Sequence, residues 1–123
     1  CVVTLRLQNG ALATIDNSRR AVYGYDQRVE VFGAAGMVAV SNRTPDNHVL
    51  LNAESVSSAK PQYFFLERYA EAYVVELQQF VDCVHNGTTP SVGGTDGLMA
   101  VVLGLAAKKS LLENRPVKVS EIY

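Results

Sequence analysis

The sequence predicts an α+β fold, with a largely antiparallel open sheet and two long helices packed on one face of it. Three observations lead to this prediction. Segments in which apolar and polar residues alternate fill the first half of the chain. Segments with a helical apolar stripe fill the second half. Turn signals, and not long crossovers, separate the strand-like segments, which favours antiparallel pairing.

The composition is that of a folded protein and excludes several classes of function. Of the 123 residues, 48% are apolar and 19% are charged, which is typical of one globular domain and not of a disordered chain. The net charge of −1 comes without the basic stripe that nucleic-acid binding needs. The longest apolar run, residues 98–107, is broken by Gly104 and is too short to cross a bilayer, so no membrane partner is expected.

The two cysteines indicate a reducing environment. Cys1 stands at the first position and Cys83 lies inside a helical pattern, so the pair does not form a disulfide framework. A cytoplasmic protein is expected. Because a strand-like pattern already starts at Cys1, we also expect the chain to be a piece of a larger protein.

The first hairpin can be predicted together with its register. Residues 1–7 and 11–17 read as strands, and Asn9-Gly10 between them is a strong turn signal. A two-residue loop would bring Thr14 and Asp16 to the apolar face. A three-residue loop, residues 8–10, instead pairs Leu7 with Ala11, Leu5 with Ala13 and Val3 with Ile15. We expect this second register because it pairs only apolar residues, with Gly10 as a left-handed bulge residue.

Three further strands, two helices and a last strand follow. The strands are predicted at residues 28–33, 37–41 and 48–54, with a turn at 33–36 and a short last strand at 117–119. The first helix runs from Leu66 and ends before Gly87. The second begins with Thr95 as its N-cap and runs to about Glu113. Its predicted inward residues are Leu98, Val101, Val102, Leu105, Ala106 and Leu112.

The sheet face away from the helices carries a mixed set of side chains. These are Thr4, Arg6, Thr14, Glu30, Phe32 and Val40. The set is too polar for a core and too apolar to be all in solvent. We therefore expect a homo-oligomer that forms through this open sheet face.

No complete catalytic set can be found in the chain. It has no G-x-G-x-x-G motif, no zinc-ligand spacing and no G-x-S-x-G elbow. Asp16 and Asp26 bracket a loop and are expected to be solvated. From the missing motifs we predict no catalytic, cofactor-binding or metal-ligating residues in this chain.

The loop at residues 16–28 is the candidate binding segment. It is rich in hydrogen-bonding groups and places Tyr23 and Tyr25 on either side of Gly24. In an extended segment the residues i and i+2 point the same way, so both rings would line one wall. A phenol has an apolar face and a hydroxyl, which suits a polyol. The alternative is that both tyrosines pack at a sheet edge.

Five stretches of the chain form a recognisable set. They are Asp16–Arg28 with the following Val29-Glu30-Val31-Phe32-Gly33, residues 60–69, Ala72-Tyr73, Asp96-Gly97-Leu98-Met99-Ala100 and Asn114-Arg115-Pro116-Val117. These stretches resemble the C-terminal domain of the Gfo/Idh/MocA oxidoreductases, most closely the inositol 2-dehydrogenase branch. The resemblance covers nearly the whole chain.

The resemblance implies a division of labour between two domains. An N-terminal Rossmann domain binds NAD or NADP, its Glu-Lys-Pro lysine lies at the active site, and an Asp-x-x-x-His pair supplies the base. None of these occurs here, since Lys60-Pro61 follows Ala59 and not glutamate. Residues 1–123 would then be a single C-terminal substrate and oligomerisation domain without its Rossmann partner.

The resemblance also implies roles for individual residues. Tyr23 and Tyr25 match the family's substrate-side loop. Arg19, Arg20 and Gln27 could add hydrogen bonds to hydroxyls or to a neighbouring subunit. Tyr69 and Tyr73 fall on the apolar stripe of the first helix and are expected to pack in the core.

The expected function follows from the resemblance. The parent would be an NAD(P)-dependent dehydrogenase that oxidises a secondary alcohol of a cyclic polyol or sugar, with myo-inositol as the favoured substrate. The isolated chain is expected to be inactive and to bind no dinucleotide. The alternative is a non-catalytic dimerisation or sugar-binding module of the same fold.

Overall fold

A computed structural model describes all residues from Cys1 to Tyr123 and divides them into two compact units. The first unit comprises Cys1–Asn17 and Leu77–Tyr123, and the second comprises Ser18–Glu76. Strands β1 (Val2–Arg6) and β2 (Leu12–Asp16) and helix α2 (Gly94–Glu113) belong to the first unit. The second unit holds β3 (Val29–Gly33), β4 (Gly36–Val40), β5 (Val49–Leu51) and β6 (Val56–Ser58). Helix α1 (Phe65–Asn86) begins in the second unit and ends in the first.

The first hairpin has the predicted register. Val3 pairs with Ile15 and Leu5 with Ala13 in the β1–β2 ladder. The Leu7 N–H donates to the Ala11 carbonyl at 2.8 Å, so the loop has three residues. Gly10 adopts φ +87°, a left-handed conformation that glycine reaches at little cost. The apolar pattern therefore decided the register as expected.

The strands are antiparallel, which confirms the α+β class, but they form three separate pairs. The ladders join β1 to β2, β3 to β4 and β5 to β6, instead of one five-stranded sheet. Strand β6 was not predicted: the segment expected to be one strand, residues 48–54, turns at Asn52. The Asn52 side chain accepts N–H groups of Glu54 and Ser55, a local turn that competes with strand extension.

The predicted open face is divided by this pairing. Thr4, Arg6 and Thr14 lie on the β1–β2 pair, while Glu30 and Phe32 lie on the β3–β4 pair. Val40 was placed on that face wrongly. Val40 pairs with Val29, and residues directly opposite each other share a face. Val29 precedes Glu30 in the strand and points the other way, so Val40 lies on the face opposite to Glu30 and Phe32.

Both helices form where predicted, but the start of α2 differs. Helix α1 ends at Asn86, and Gly87 follows with φ +63°. The N-cap of α2 is Gly93, not Thr95. The Asp96 carboxylate accepts the Gly93 N–H at 2.7 Å, so the acid three residues on supplies the capping bond and the helix starts earlier.

The predicted last strand is wrong. The chain forms a short 3₁₀ helix at Val119–Glu121. Glu121 accepts Arg115 Nη2 at 2.6 Å, and its other oxygen accepts the Lys118 N–H at 2.9 Å. These bonds join residues that are close in sequence, and the segment has no neighbouring strand to pair with.

Burial is confined to a small part of the first unit. Val102, at 3% exposure, and Ala106 are the buried apolar residues of the chain. Four of the six α2 residues predicted to point inward are exposed: Leu98, Val101, Leu105 and Leu112. In the second unit Phe32 is 82% exposed, and its cross-strand partner Met37 is exposed as well. No helix has both the length and the apolar character needed to cross a membrane.

Candidate functional site

The two candidate tyrosines lie in the second unit, on a turn and not on an extended segment. Gly24 between them has φ +140°. A Cβ at that position would lie 2.7 Å from the Pro61 carbonyl oxygen. The Tyr25 N–H donates to the Gln62 carbonyl at 2.7 Å. The extended geometry assumed for the pair is therefore wrong, and each phenol is held by its own set of partners.

Tyr23 belongs to a network centred on the Asp26 carboxylate. Arg28 donates two hydrogen bonds to this carboxylate, from Nε to Oδ1 at 2.7 Å and from Nη2 to Oδ2 at 2.8 Å. Asn42 Nδ2 donates to Oδ1 at 2.7 Å, and the Tyr23 hydroxyl donates to Oδ2. Two carboxylate oxygens have about four acceptor positions, and here four donors fill them. Asn42 follows strand β4, so the network ties the loop to the end of that strand.

The network keeps Asp26 ionised. The Arg28 hydrogen bonds, followed by those of Tyr23 and Asn42, hold the pKa of the Asp26 carboxyl well below its usual range. The side chain of Asp26 is only 15% exposed. The expectation that this acid would simply be solvated is therefore wrong. Three donor residues, two close to it in sequence and one just after a strand, explain why it is engaged.

Tyr25 belongs to a second cluster, with Tyr69 and Gln27. The Tyr25 and Tyr69 rings meet edge to face, with centroids 5.7 Å apart. The Tyr69 hydroxyl donates to Gln27 Oε1. Burial raises the pKa of the Tyr69 phenol, and its hydrogen bond with the Tyr25 phenol raises it further. The prediction that Tyr69 and Tyr73 pack in the core is wrong, because Tyr69 is only half-buried and Tyr73 is exposed. The polar contact of Tyr69 with the loop was not expected from the sequence.

Backbone and ion-pair contacts hold the start of α1 in this unit. The Gln62 N–H donates to the Arg43 carbonyl at 3.0 Å, and the Arg43 guanidinium pairs with Glu71 at 3.0 Å. Two polar atoms beside this contact, Gln62 Oε1 and Arg68 Nε, are buried without a hydrogen-bond partner. The Arg68 guanidinium lies 5.4 Å from the centre of the Tyr69 ring.

Of the other predicted contributors, Gln27 joins the two clusters but Arg19 and Arg20 do not. Arg19 and Arg20 are exposed, and no side-chain bond from either reaches the tyrosines. Lys60 is exposed as well. Gln27 does take part, through Tyr69 and through its own N–H, which donates to Asn42 Oδ1 at 2.7 Å. No group of histidine, cysteine and acidic side chains could hold a metal ion.

The arrangement offers groups that can position a ligand. It presents two phenols with fixed hydrogen-bond partners, and its one carboxylate is saturated by donors. A neutral ligand with hydroxyl groups fits this set of groups better than a charged one, because the phenols and their amide partner are uncharged.

Comparison with known proteins gives a consistent result. Residues 1–119 match the family described as "Oxidoreductase family, C-terminal alpha/beta domain". The myo-inositol 2-dehydrogenase of Thermotoga maritima is 51% identical over 98% of this chain and 36% of its own length.

Two solved structures share the fold. A myo-inositol dehydrogenase from Corynebacterium glutamicum is 43% identical with a TM-score of 0.85, over 93% of this chain and 34% of that one. A scyllo-inositol dehydrogenase from Lactobacillus casei, solved with NAD(H) and scyllo-inositol bound, is 25% identical with a TM-score of 0.87, over 97% and 35%. The chain therefore spans about a third of the length of the relatives it matches.

Proposed function

The chain belongs to the oxidoreductase family whose C-terminal α/β domain it matches, and from this we propose that it is the substrate-side domain of an NAD(P)-dependent polyol dehydrogenase. Residues 1–123 would form one domain of that enzyme, preceded by a Rossmann domain. The expected reaction is oxidation of a secondary alcohol of a cyclic polyol, with myo-inositol as the favoured substrate. The names of the relatives from Thermotoga and Corynebacterium support this choice of substrate.

The pair of anchored phenols is the observation that carries the proposal. Tyr23 is 47% exposed although its hydroxyl is tied to Asp26, so the ring keeps a face for another group. Tyr25 is half-buried against Tyr69. Rings held in this way lose little rotational freedom when a ligand binds, which favours binding of a polyol by positioning.

We expect no dinucleotide site on this chain. A pyrophosphate needs free N–H groups at a glycine-rich helix start, and Gly93-Gly94 before α2 is the nearest such place. There the Asp96 carboxylate already accepts the Gly93 N–H at 2.7 Å and would repel an anion. Binding of NAD or NADP, and the proton transfer, are therefore assigned to the part of the parent outside these residues.

The contribution of this chain is then the placement of the substrate. The phenols would hold ring hydroxyls in one orientation while the reacting carbon faces the rest of the enzyme. Correct placement alone can account for a large part of a rate enhancement. A misplacement of about 1 Å can lower the rate about a hundredfold. The two cysteines are free thiols, in agreement with a reducing, cytoplasmic location.

Self-association is the second part of the proposal. The β3–β4 pair exposes Phe32 and Met37 on one face, an apolar surface that a monomer rarely leaves in water. A homo-oligomer that covers this pair is expected for the intact protein. Light scattering at micromolar concentration tests it, and a monomeric mass would contradict it.

Substitution of the phenols tests the substrate-wall role. In the full-length protein, Tyr23→Phe and Tyr25→Phe each remove one hydroxyl and keep the ring. We expect each to raise the KM for myo-inositol about fivefold with kcat nearly unchanged, because one hydrogen bond contributes about 1 kcal/mol. Tyr123→Phe, at an exposed position of the other unit, is the matched control and is expected to leave KM unchanged.

The non-catalytic alternative makes a different prediction. A dimerisation or sugar-binding module would show no turnover in any full-length variant, although it could still bind a polyol. If the full-length protein is active and Tyr23→Phe and Tyr25→Phe both leave its KM unchanged, the two tyrosines have a packing role only.

A further inference from the structure

Arg68, in the first turn of α1, carries a charge that no acid in this structure neutralises. Its side chain is half-buried and makes neither a hydrogen bond nor an ion pair. The guanidinium carbon lies 5.4 Å from the centre of the Tyr69 ring. An arginine stays protonated in proteins and has five N–H donors. A charge that is partly removed from water is costly without a counter-charge, so folded proteins usually pair such groups.

The outer edge of this guanidinium can still be reached by another group. Nε is buried, but the two outer nitrogens, Nη1 and Nη2, are not fully buried and have no partner. Two N–H groups on one edge of a planar guanidinium match the two oxygens of a carboxylate. The free edge of Arg68 is therefore suited to a carboxylate.

The acids closest to Arg68 along the helix are engaged elsewhere. Glu67 accepts the Tyr63 N–H at 3.2 Å. Glu71 would be the usual partner, because residues three apart on a helix are neighbours. Its carboxylate pairs instead with Arg43 at 3.0 Å. A counter-charge for Arg68 is therefore expected from outside residues 1–123.

We propose that Arg68 is an interdomain anchor, which binds a carboxylate side chain from the part of the parent chain outside residues 1–123. The relative from Thermotoga is matched over only 36% of its length, so a parent of similar size has most of its acids outside these residues. The proposal rests on the part of the proposed function that makes these residues one domain of a longer enzyme. It does not depend on which substrate that enzyme uses.

The anchor would also fix the proposed substrate wall. Tyr69, the neighbour of Arg68, meets the Tyr25 ring edge to face, with centroids 5.7 Å apart. A contact that holds the start of α1 against the rest of the enzyme would therefore hold these rings in place as well. Such placement matters because catalysis is sensitive to small displacements of the substrate.

Thermal unfolding of the full-length Arg68→Met variant, in a buffer free of carboxylates, tests the anchor. Methionine keeps most of the aliphatic stem but removes the charge. If a carboxylate pairs with Arg68, the variant leaves that carboxylate unpaired, and Tm should fall by at least about 6 °C. Loss of the Tyr69 ring contact alone would lower Tm by only about 1–4 °C. Lys108→Met removes the same charge from an exposed position of α2 and should change Tm by less than about 1 °C.

Two further variants make the test specific. The fall caused by Arg68→Met should be equally large in a Glu71→Gln background, because the proposed partner is not Glu71. Arg68→Lys keeps the charge and the ring contact but loses the two-point fork, so it should lower Tm by about 2–5 °C. The lysine variant provides the test if the methionine variant fails to fold.

Each outcome decides the proposal. A fall of at least about 6 °C in both backgrounds, with an unchanged mass by light scattering, supports the anchor. A higher or unchanged Tm, a fall no larger than that of the ring contact, or a fall that disappears with Glu71→Gln contradicts it. A fall together with a smaller oligomer mass places the carboxylate on a second copy and contradicts its assignment to the same chain. Turnover of myo-inositol by the wild type is measured separately, so failure of the proposed reaction is distinguished from failure of the anchor.

Discussion

Replacement of Gly24 by alanine should destabilise the second unit far more than the same replacement at Gly36. Both glycines have nearly the same backbone angle, φ +140° and φ +142°. Each alanine therefore carries a similar strain, of about 1–3 kcal/mol. The surroundings differ: the new Cβ at Gly24 would lie 2.7 Å from the Pro61 carbonyl oxygen and 3.1 Å from the Gln62 carbonyl oxygen, whereas nothing lies within 4 Å at Gly36.

The difference between the two variants can be worked out from these contacts. Relief of the overlap requires the backbone of the loop to move away from Pro61, and overpacking of this kind costs about 1–3 kcal/mol. The movement also breaks the 2.7 Å bond from the Tyr25 N–H to the Gln62 carbonyl. That loss adds about 1 kcal/mol. Gly24→Ala should thus lower the free energy of unfolding by about 2–4 kcal/mol more than Gly36→Ala.

Urea unfolding of both variants of the full-length protein measures this difference. Hydrogen exchange adds a local check, because only Gly24→Ala should lose protection of the Tyr25 amide. The reasoning would be refuted if the two alanines lowered stability equally, or if the Tyr25 amide kept its protection in Gly24→Ala.

Three further predictions concern the first unit. Asp96→Ala should lower the free energy of unfolding by about 1 kcal/mol, because the helix loses its cap. Thr95→Ala should change it by less than about 0.5 kcal/mol. Equal effects of the two variants in urea unfolding would contradict the capping assignment. Val102→Ala should cost about 1–2 kcal/mol, but Val101→Ala, at a position 60% exposed, should be near neutral in the same assay. The pKa of Glu121 is lowered from 4.5 to about 2, first by its hydrogen bonds from arginine. A carboxyl whose pKa is lower in the folded state than in the unfolded state stabilises the protein at pH values above its unfolded-state pKa. This stabilisation should therefore be lost as the pH falls from 4.5 towards 2. Glu121→Gln should flatten that part of a curve of Tm against pH.

The parts of the fold that follow from local rules could be predicted from the sequence. The register of the first hairpin followed because one alternative put Thr14 and Asp16 among apolar residues. The end of α1 followed from Gly87. The α+β class followed from the order of periodicities. The errors came where two local rules competed, as at α2, where Thr95 was a plausible cap but Asp96 reached back to Gly93.

The candidate site was harder to predict because its contacts are not periodic. Two tyrosines around a glycine could be noticed, but the positive φ of Gly24 overturned the assumption that they share a face. Asp26 is held mainly by its sequence neighbours Arg28 and Tyr23, but it is also held by Asn42, 16 residues away. Gln27 contacts Tyr69, 42 residues away. No spacing rule connects positions so far apart, so only the folded chain brings these partners together.

The most direct test of the whole account is a dehydrogenase assay that compares the full-length protein with the isolated 123-residue chain. Reduction of NAD or NADP is followed by absorbance with myo-inositol as the substrate and with buffer alone as the control. The account predicts myo-inositol-dependent formation of the reduced cofactor by the full-length protein, with no activity and no saturable cofactor binding in the isolated chain. Saturable binding of NAD by the isolated chain, or a full-length protein that reduces neither cofactor with any cyclic polyol, would contradict it.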